Sequence, residues 1–252
     1  MPNPFDLSGK QALVTGANTG LGQGMAVALA EAGADIVAVG RSPADETRYA
    51  VEAAGRRFTD IRSDLLDKSA VREVVARAEK EAGPSDILVN NAGIIRRSDA
   101  LDFDERDWDD VMNVNIRALF FLSQDFSASV VKRNVHGKII NVASMLSYQG
   151  GIRVASYTAS KSGIMGLTRL LANEWAGRQI NVNAIAPGYF ATNNTAALQA
   201  DEDRNRQILE RIPAGRWGAP GDLGGGVVFL ASAASDYVHG ITLPIDGGWL
   251  AR

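Results

Sequence analysis

The sequence predicts an α/β fold, a single doubly wound parallel sheet with helices on both faces. Short apolar segments that favour strands alternate along the chain with longer segments that favour helices. This alternation is typical of parallel sheets, because each crossover between two parallel strands requires a helix on one face. No internal repeat or linker-like tract interrupts the pattern, so we expect residues 1–252 to form one domain.

The strands and helices can be placed in chain order. The first strand, residues 11–14, runs directly into a glycine-rich turn, and a helix follows at residues 25–32. Six further strands are predicted at residues 35–39, 57–61, 86–90, 138–143, 180–185 and 241–246. Further helices are predicted at residues 43–54, 68–82, 104–133 and 155–176, within 193–211, and at 220–231.

The glycine-rich turn after the first strand has the spacing Gly-x-x-x-Gly-x-Gly. Because glycine has no Cβ, such a turn lets backbone N–H groups and a helix N-terminus approach a pyrophosphate. The spacing differs from the dinucleotide fingerprint Gly-x-Gly-x-x-Gly, and a turn kept only for tight packing is the alternative. The candidate cofactor-binding residues here are Gly16, Asn18, Thr19, Gly20, Leu21 and Gly22.

The residues after the second strand indicate which cofactor is bound. Gly40 and Arg41 lie where a dinucleotide-binding sheet contacts the adenosine ribose. Gly40 offers no carboxylate to a ribose 2′-hydroxyl, whereas Arg41 could hold a 2′-phosphate, so this position favours NADP. The alternative is that Arg41 is a solvated surface charge.

Composition and charge argue against several classes of function. A net charge of −3 and a pI near 5.5 argue against a nucleic-acid-binding protein, which usually carries a basic face. The chain has no cysteine and two histidines, His136 and His239, so we expect neither disulfides nor a metal site. We find no basic and apolar leader and no apolar stretch of roughly 18 residues, and we therefore expect a cytoplasmic protein without membrane association.

A candidate catalytic trio lies between residues 144 and 161. Tyr157 and Lys161 are four residues apart, so in a helix they share one face, and Ser144 follows a predicted strand. A hydroxyl, a phenol and an ammonium could act together on one carbonyl group. The Tyr-x-x-x-Lys pair alone is a weak motif, so its significance depends on the rest of the chain.

Other candidate ligand-binding residues follow the ends of predicted strands, where open parallel sheets bind ligands. They are Asp64, Leu65, Asn91, Ala92, Gly93, Ser144, Pro187 and Gly188. Together with Asn115 and the motifs above, this spacing resembles the short-chain dehydrogenase/reductase family from about residue 7 to the C-terminus. The resemblance implies a Rossmann-type fold.

The resemblance also implies a role for individual residues. The glycine turn would bind the cofactor pyrophosphate, Asp64 would lie near the adenine, and Asn91 would support the sheet and the cofactor. Thr192, five residues after Pro187, would hold the nicotinamide amide. The implied catalytic tetrad is Asn115, Ser144, Tyr157 and Lys161.

The chemistry of the tetrad can be argued beside the resemblance. Hydride transfer to a ketone creates negative charge on its oxygen, which must receive a proton. We expect Tyr157 to donate that proton, with the Lys161 ammonium lowering the phenol pKa from its usual value of about 10. Ser144 would bind the substrate oxygen, and Asn115 could hold a water that links the lysine to solvent. The structural alternatives are a helix kink at Asn115 and a strand-end cap at Ser144.

Residues 94–97, 145–153, 191–195 and 246–252 resemble those family members that act on small keto sugar acids and usually use NAD. We therefore expect a reversible interconversion of keto and hydroxyl groups with NAD or NADP. The alternatives are family activities on gluconate or on 3-oxoacyl groups, and a dinucleotide sensor without turnover. The candidate substrate-binding residues are Arg97, Ser144, Met145, Gln149, Arg153 and Tyr157.

Arginines near the candidate catalytic residues favour an acidic substrate. Arg153 lies between Ser144 and Tyr157, whereas Arg96 and Arg97 follow the fourth strand. A guanidinium group can bind a carboxylate through two parallel hydrogen bonds. We therefore expect Arg153, together with Arg96 or Arg97, to bind the carboxylate of a sugar acid. Solvated arginines at the rim of the site are the alternative.

The chain also favours self-association. Two long predicted helices, residues 104–133 and 155–176, and the apolar stretch 241–250 could form subunit interfaces. Members of the resembled family pair such surfaces, and two-fold symmetry applied twice would give a homotetramer. Trp249 and Arg252 could then reach a neighbouring subunit's pocket, and a tail buried in its own subunit is the alternative.

Overall fold

The computed structural model describes residues 3–252, which contain a seven-stranded sheet. The strands are β1 (Gln11–Thr15), β2 (Asp35–Gly40), β3 (Phe58–Arg62), β4 (Ile87–Asn90), β5 (Gly137–Val142), β6 (Ile180–Pro187) and β7 (Thr242–Ile245). All neighbouring strands run parallel, in the order β3-β2-β1-β4-β5-β6-β7. The predicted α/β fold with one parallel sheet is confirmed.

Helices cover both faces of this sheet, as predicted. They are α1 (Gly20–Glu31), α2 (Asp45–Ala53), α3 (Lys68–Ala82), α4 (Glu105–Met112), α5 (Leu119–Arg133), α6 (Ala155–Trp175), α7 (Ala196–Ala200), α8 (Glu202–Arg211) and α9 (Gly224–Ala231). α1 packs against α9 on one face, and α3 packs against α5 on the other. Among residues 3–252, no helix combines the length and apolar character needed to span a bilayer.

The central strands are buried because helices cover them from both sides. In β1, Ala12 and Val14 face α1 and α9, whereas Leu13 between them faces α3 and α5. Successive side chains of a strand point to opposite faces, so an aliphatic run fills both layers. Burying one such aliphatic side chain stabilises the fold by about 1.5–3 kcal/mol. The result is a rigid frame for the loops at the carboxyl ends of the strands.

The strand order creates a crevice at those carboxyl ends. From β1 the chain continues to β2 and β3 on one side, whereas β4 lies directly beside β1 on the other side. The connections that leave β1 and β4 therefore diverge, and in open α/β sheets ligands bind at this switch point. The glycine turn follows β1, and the loop that carries Asn91 follows β4.

The predicted helix at residues 104–133 is interrupted in the structure. α4 ends at Met112, and residues Asn113–Ala118 form a wider π-helical turn before α5 begins. Asn115 lies inside this turn. The spacing of apolar residues does not reveal such a turn, because only a few residues depart from α-helical geometry. The structural alternative for Asn115, a helix irregularity, is therefore observed.

Three other helix boundaries differ from the prediction. α1 begins at Gly20 rather than at residue 25, because its glycine-rich first turn carries no apolar pattern. Residues 193–211 form two helices divided at Asp201, whose carboxylate accepts a hydrogen bond from the Arg204 backbone N–H at 3.0 Å. Pro220–Leu223 forms a 3₁₀ turn before α9, since proline favours the first turn of a helix.

Candidate active site

Two glycines of the turn after β1 are required by packing. A Cβ on Gly16 would lie 2.9 Å from the Asn91 Nδ2 atom, and the Gly16 φ angle is +66°. A Cβ on Gly22 would lie 2.1 Å from the Gly16 carbonyl oxygen. Asn91 Nδ2 donates hydrogen bonds to the carbonyl oxygens of Thr15 and Gly16, at 2.9 and 3.2 Å. Asn91 thus holds the glycine turn against the loop after β4.

The N-terminus of α1 fits an anionic ligand. Thr19, which precedes the helix, makes no capping hydrogen bond with its side chain, and the first turn contains no acidic residue. By contrast, Asp67 caps α3 and Asp104 caps α4 through their carboxylates. The first backbone N–H groups of α1 thus have no capping side chain and carry the positive end of the helix dipole. A dinucleotide pyrophosphate suits this position.

The loop after β6 lies beside the start of α1. A Cβ on Gly20 would lie 3.6 Å from the Thr192 Cγ2 atom, which is ordinary contact, so Gly20 is not crowded by packing. Gly188 follows Pro187 at the end of β6, and a Cβ there would lie 2.7 Å from the Asp246 Cα atom. The predicted nicotinamide-binding residue Thr192 and the predicted pyrophosphate-binding turn therefore form one continuous site.

The corner after β2 is open and basic. A Cβ on Gly40 would lie 3.7 Å from the Asn18 Oδ1 atom. Arg41 is exposed, and its guanidinium makes no hydrogen bond or ion pair with other groups in residues 3–252. Asp64 is also exposed, and its Oδ1 atom accepts a hydrogen bond from a backbone N–H two residues later. The Leu65 side chain packs in the core between the sheet and α3, which leaves only its backbone for a cofactor.

The loop after β4 connects the glycine turn to the candidate catalytic residues. The backbone N–H groups of Asn91 and Ala92 both donate to the Thr15 hydroxyl, at 3.0 Å. A Cβ on Gly93 would lie 3.3 Å from the Asn115 Oδ1 atom and 3.7 Å from the Lys161 Nζ atom. Gly93 therefore lies directly beside two members of the predicted tetrad.

Asn115 holds this loop in place through its side chain. Its Oδ1 atom accepts from the Ile94 N–H at 2.8 Å, and its Nδ2 group donates to the Ile94 carbonyl at 3.0 Å. The same Nδ2 group donates to the Ser160 hydroxyl at 3.1 Å. Both ends of the amide are thus bound by protein groups, and a water near Asn115 that links Lys161 to solvent stays a prediction. The observed role of Asn115 is to join the π-helical turn, the loop after β4 and α6.

The structure brings Ser144, Tyr157 and Lys161 together at the start of α6. Tyr157 and Lys161 lie one turn apart, with the Lys161 Nζ atom 5.6 Å from the centroid of the Tyr157 ring. Lys161 Nζ donates to the Val142 carbonyl oxygen at 2.6 Å, and the lysine is 4% exposed. The Ser144 hydroxyl accepts from the Leu146 N–H at 3.1 Å and lies close to the Tyr157 phenol.

Burial shifts both titratable groups towards their neutral forms. It raises the pKa of Tyr157, although the Ser144 hydroxyl and the charge of Arg97 oppose this shift. It lowers the pKa of Lys161 from 10.5 to about 8. The Tyr157 pKa is therefore raised overall, and the expected net lowering is not observed, because removal from water is the largest influence on the phenol. The Lys161 ammonium itself contacts a backbone carbonyl oxygen.

The structure separates the three arginines predicted to bind a carboxylate. The Arg96 guanidinium forms ion pairs with two carboxylates of α4, Asp107 at 2.9 Å and Asp110 at 3.5 Å, and is therefore not free to bind a substrate. Arg97 is exposed and close enough to Tyr157 to influence the pKa of its phenol. Arg153 is also exposed, and its backbone carbonyl accepts a hydrogen bond from the Ser98 N–H at 3.1 Å. Arg97 and Arg153 remain the candidates at the mouth of the site.

Gln149 links the catalytic loop to the C-terminus and α8. Its Oε1 atom accepts hydrogen bonds from Arg211 Nη2 and from Trp249 Nε1, both at 3.1 Å. Met145 is buried against Trp249 in the same cluster. The contact of Arg211 with Gln149 could not be predicted from the sequence, because the spacing of residues in a surface helix does not indicate which of them faces a distant loop.

The C-terminal residues pack within their own subunit. Trp249 is 4% exposed, and the Arg211 guanidinium lies 4.1 Å from its ring centroid. The Arg252 side chain donates to the backbone carbonyls of Arg211 and Glu210, at 3.2 and 2.6 Å. These contacts favour the alternative for Trp249, a residue buried in its own subunit. Whether Trp249 and Arg252 also reach a neighbouring subunit's pocket stays a prediction.

Comparison with known proteins identifies the family. The family model described as enoyl-(acyl carrier protein) reductase matches residues 16–250. The chain belongs to the short-chain dehydrogenase/reductase family. It is 63% identical over 250 residues to a 2-dehydro-3-deoxy-D-gluconate 5-dehydrogenase of Dickeya dadantii (strain 3937), covering 99% of each chain. It is 62% identical over 248 residues to the Escherichia coli (strain K12) protein of the same name, covering 98% of each chain.

A solved structure supports the same assignment. An Agrobacterium tumefaciens protein, provisionally named 2-deoxy-D-gluconate 3-dehydrogenase and crystallised with bound NADP, has a TM-score of 0.95 and is 58% identical. The match covers 99% of this chain and 100% of that chain. This short-chain dehydrogenase/reductase is therefore a nicotinamide-dependent oxidoreductase that interconverts hydroxyl and keto groups. The family predicted from the sequence is confirmed.

Proposed function

We propose that this enzyme is a 2-dehydro-3-deoxy-D-gluconate 5-dehydrogenase, which reversibly oxidises one hydroxyl group of a small keto sugar acid. The observation that carries the proposal is the position of Arg97, whose positive charge lies within electrostatic range of the Tyr157 phenol. A substrate that carries both a carboxylate and a reacting hydroxyl group would match this pair of groups. The names of the two relatives described above support the same substrate class.

The tetrad residues would act on the substrate oxygen in the following way. A bound nicotinamide cofactor supplies or accepts the hydride at the reacting carbon. Tyr157, whose raised pKa keeps the phenol protonated near neutral pH, would donate a proton to the oxygen during reduction. Ser144 would hydrogen-bond to the same oxygen. Lys161, when protonated, would stabilise the negative charge left on Tyr157.

A substrate panel tests this proposal. Purified enzyme should be assayed by nicotinamide absorbance with 2-dehydro-3-deoxy-D-gluconate and its keto product, with gluconate and 5-ketogluconate, and with a 3-oxoacyl thioester. We expect the highest kcat/KM for the keto-deoxy sugar acid. A higher kcat/KM for gluconate or for the thioester would favour the corresponding alternative. Cofactor binding without turnover on any substrate would favour the dinucleotide sensor.

We further propose that Arg41 permits the use of NADP alongside NAD. Its guanidinium is exposed and without a protein partner among residues 3–252, and Gly40 beside it provides no carboxylate. Arg41→Ala should lower the ratio of kcat/KM for NADP to that for NAD by roughly 10- to 100-fold, the worth of one charged hydrogen bond. Arg48→Ala, which removes a nearby arginine in the sequence that pairs with Glu52 on α2, is the control. An unchanged ratio would contradict the role of Arg41.

Binding of the substrate carboxylate should depend on Arg97 and Arg153. Arg97→Gln should lower kcat/KM for the sugar acid by roughly 10- to 100-fold, because a charged hydrogen bond contributes about 1.5–3 kcal/mol. The loss should be much smaller for the methyl ester of the same keto compound. Arg153→Gln should likewise lower kcat/KM more for the sugar acid than for the methyl ester. Equal losses on acid and ester would mean that these arginines are structural.

We also propose that residues 1–252 form one domain, that the enzyme is a cytoplasmic homotetramer, and that neither nucleic acid nor membrane is a partner. The single sheet supports one domain, and the absence of cysteine suits a reducing compartment.

Exposed apolar side chains on the helices support the homotetramer. They are Trp108 on α4, Val131 on α5 and Leu170 on α6. Light scattering at micromolar concentration should give about four times the chain mass, and a monomer mass would contradict the assembly.

A further inference from the structure

Arg62 lies at the end of β3, directly beside the predicted ribose-binding corner. It pairs with Gly40 in the register of β2 and β3. Its Nη1 group donates a hydrogen bond to the Arg41 backbone carbonyl at 3.2 Å. The side chain is 43% exposed, and its Nη2 group makes no protein hydrogen bond among residues 3–252. Arg62 therefore holds the backbone of Arg41 and still presents a free donor to solvent.

Asp60 is a carboxylate whose charge is balanced by Arg62. Its carboxylate lies on the same face of β3 as Arg62, and its Oδ2 atom is 3.0 Å from Arg62 Nε. The Asp60 side chain is 12% exposed, and its Oδ1 atom is buried without a partner in the described residues. Asp60 is two residues from Arg62, about 7 Å along the strand. Without Arg62, the Asp60 carboxylate would be left unpaired two residues along β3 from the strand end beside Gly40 and Arg41.

We propose that Arg62 is a cofactor-selectivity residue that makes this corner compatible with a 2′-phosphate. It neutralises Asp60, which would otherwise repel a nearby phosphate dianion, and it holds the backbone of Arg41 through the Arg41 carbonyl oxygen. The inference rests on the proposal that Arg41 permits the use of NADP. It adds Arg62 as a second arginine at this corner and Asp60 as a carboxylate that opposes phosphate binding. NAD has a hydroxyl group at this position, so its binding should depend much less on Arg62.

Nucleotide binding tests the inference without any sugar acid. Calorimetric titration of the full-length protein should compare 2′,5′-ADP, which carries the 2′-phosphate, with ADP, which lacks it. Arg62→Ala should weaken 2′,5′-ADP binding by roughly 10- to 100-fold, and ADP binding should change by less than about threefold. Arg57→Ala is the matched control, because Arg57 forms a similar pair with Asp35 at the other end of β3. It should leave both affinities unchanged.

A second substitution separates charge from folding. In the double variant Arg62→Ala, Asp60→Asn, the repelling carboxylate is absent, and affinity for 2′,5′-ADP should recover at least in part. Arg62→Gln keeps a donor for the Arg41 carbonyl but no charge, and carries the test if the alanine variant does not fold. Equal weakening of 2′,5′-ADP and ADP, or unchanged binding of 2′,5′-ADP, would overturn the inference. No recovery in the double variant would overturn the role of Asp60. Failure of the sugar-acid assignment would leave these binding results unaffected.

Discussion

Replacing Tyr157 by phenylalanine should lower kcat at least about 100-fold, the typical contribution of general acid catalysis. The substitution removes the phenol oxygen, which is the group placed beside Ser144, and leaves the ring volume unchanged. Cofactor affinity should therefore stay within about threefold of the wild-type value, because the glycine turn and the loop after β4 keep their contacts.

Steady-state kinetics and cofactor titration measure the two quantities separately. Tyr148→Phe is the matched control, since Tyr148 lies nearby and its hydroxyl donates to the Thr242 carbonyl oxygen at 3.1 Å. Losing the hydrogen bond from the Tyr148 hydroxyl should lower the unfolding free energy by about 0.5–1.5 kcal/mol and leave kcat near the wild-type value. Tyr157→Phe with more than about a tenth of the wild-type kcat would show that another group donates the proton.

Replacing Lys161 by methionine should also lower kcat at least about 100-fold, because no positive charge would then stabilise a negative phenol oxygen. The same substitution should change how stability depends on pH. The pKa of Lys161 is about 8 in the folded protein and 10.5 when fully solvated. Below pH 8 the folded protein therefore holds a buried ammonium, which costs on the order of 3 kcal/mol.

The direction of the pH effect follows from proton binding. Between pH 8 and 10.5 the unfolded chain keeps a proton on Lys161 that the folded chain has released, so the unfolding free energy rises with pH. Tyr157 acts in the opposite direction above pH 10, because its raised pKa keeps the folded phenol protonated while the unfolded phenol ionises. The effect of Lys161 on the unfolding free energy is therefore best measured between pH 8 and 10, where Tyr157 does not oppose it.

Urea denaturation at several pH values across this window measures the effect. Wild-type unfolding free energy should rise more steeply with pH than that of Lys161→Met, and the difference between the two slopes isolates this lysine. The methionine variant leaves the Val142 carbonyl without its partner, at a cost of about 1–3 kcal/mol, so its stability at pH 7 alone is not diagnostic. Lys132→Met, at an exposed position on α5, should keep the wild-type slope. Identical slopes for Lys161→Met and wild type would contradict a depressed Lys161 pKa.

The sequence by itself determined the fold class, the family and the residue types of the candidate active site. The alternation of strands and helices is a local pattern, and each strand contributes its polar residues at a predictable end of a parallel sheet. Tyr157 and Lys161 meet because they are one turn apart in a helix, which requires only their spacing. The glycine turn was also recognisable, because three closely spaced glycines between a strand and a helix are a short-range signal.

Only the tertiary structure decided which of these residues are free to act and how they titrate. Arg96 and Arg97 are adjacent in sequence, yet Arg96 is bound by Asp107 and Asp110 whereas Arg97 faces the Tyr157 region. The pKa of Lys161 is set by its burial. Ion pairing and burial depend on segments far apart in the chain, and sequence spacing contains no information about their approach. For the same reason, the contacts of Arg62 with Asp60 and Arg41 became visible only once β3 was placed beside β2.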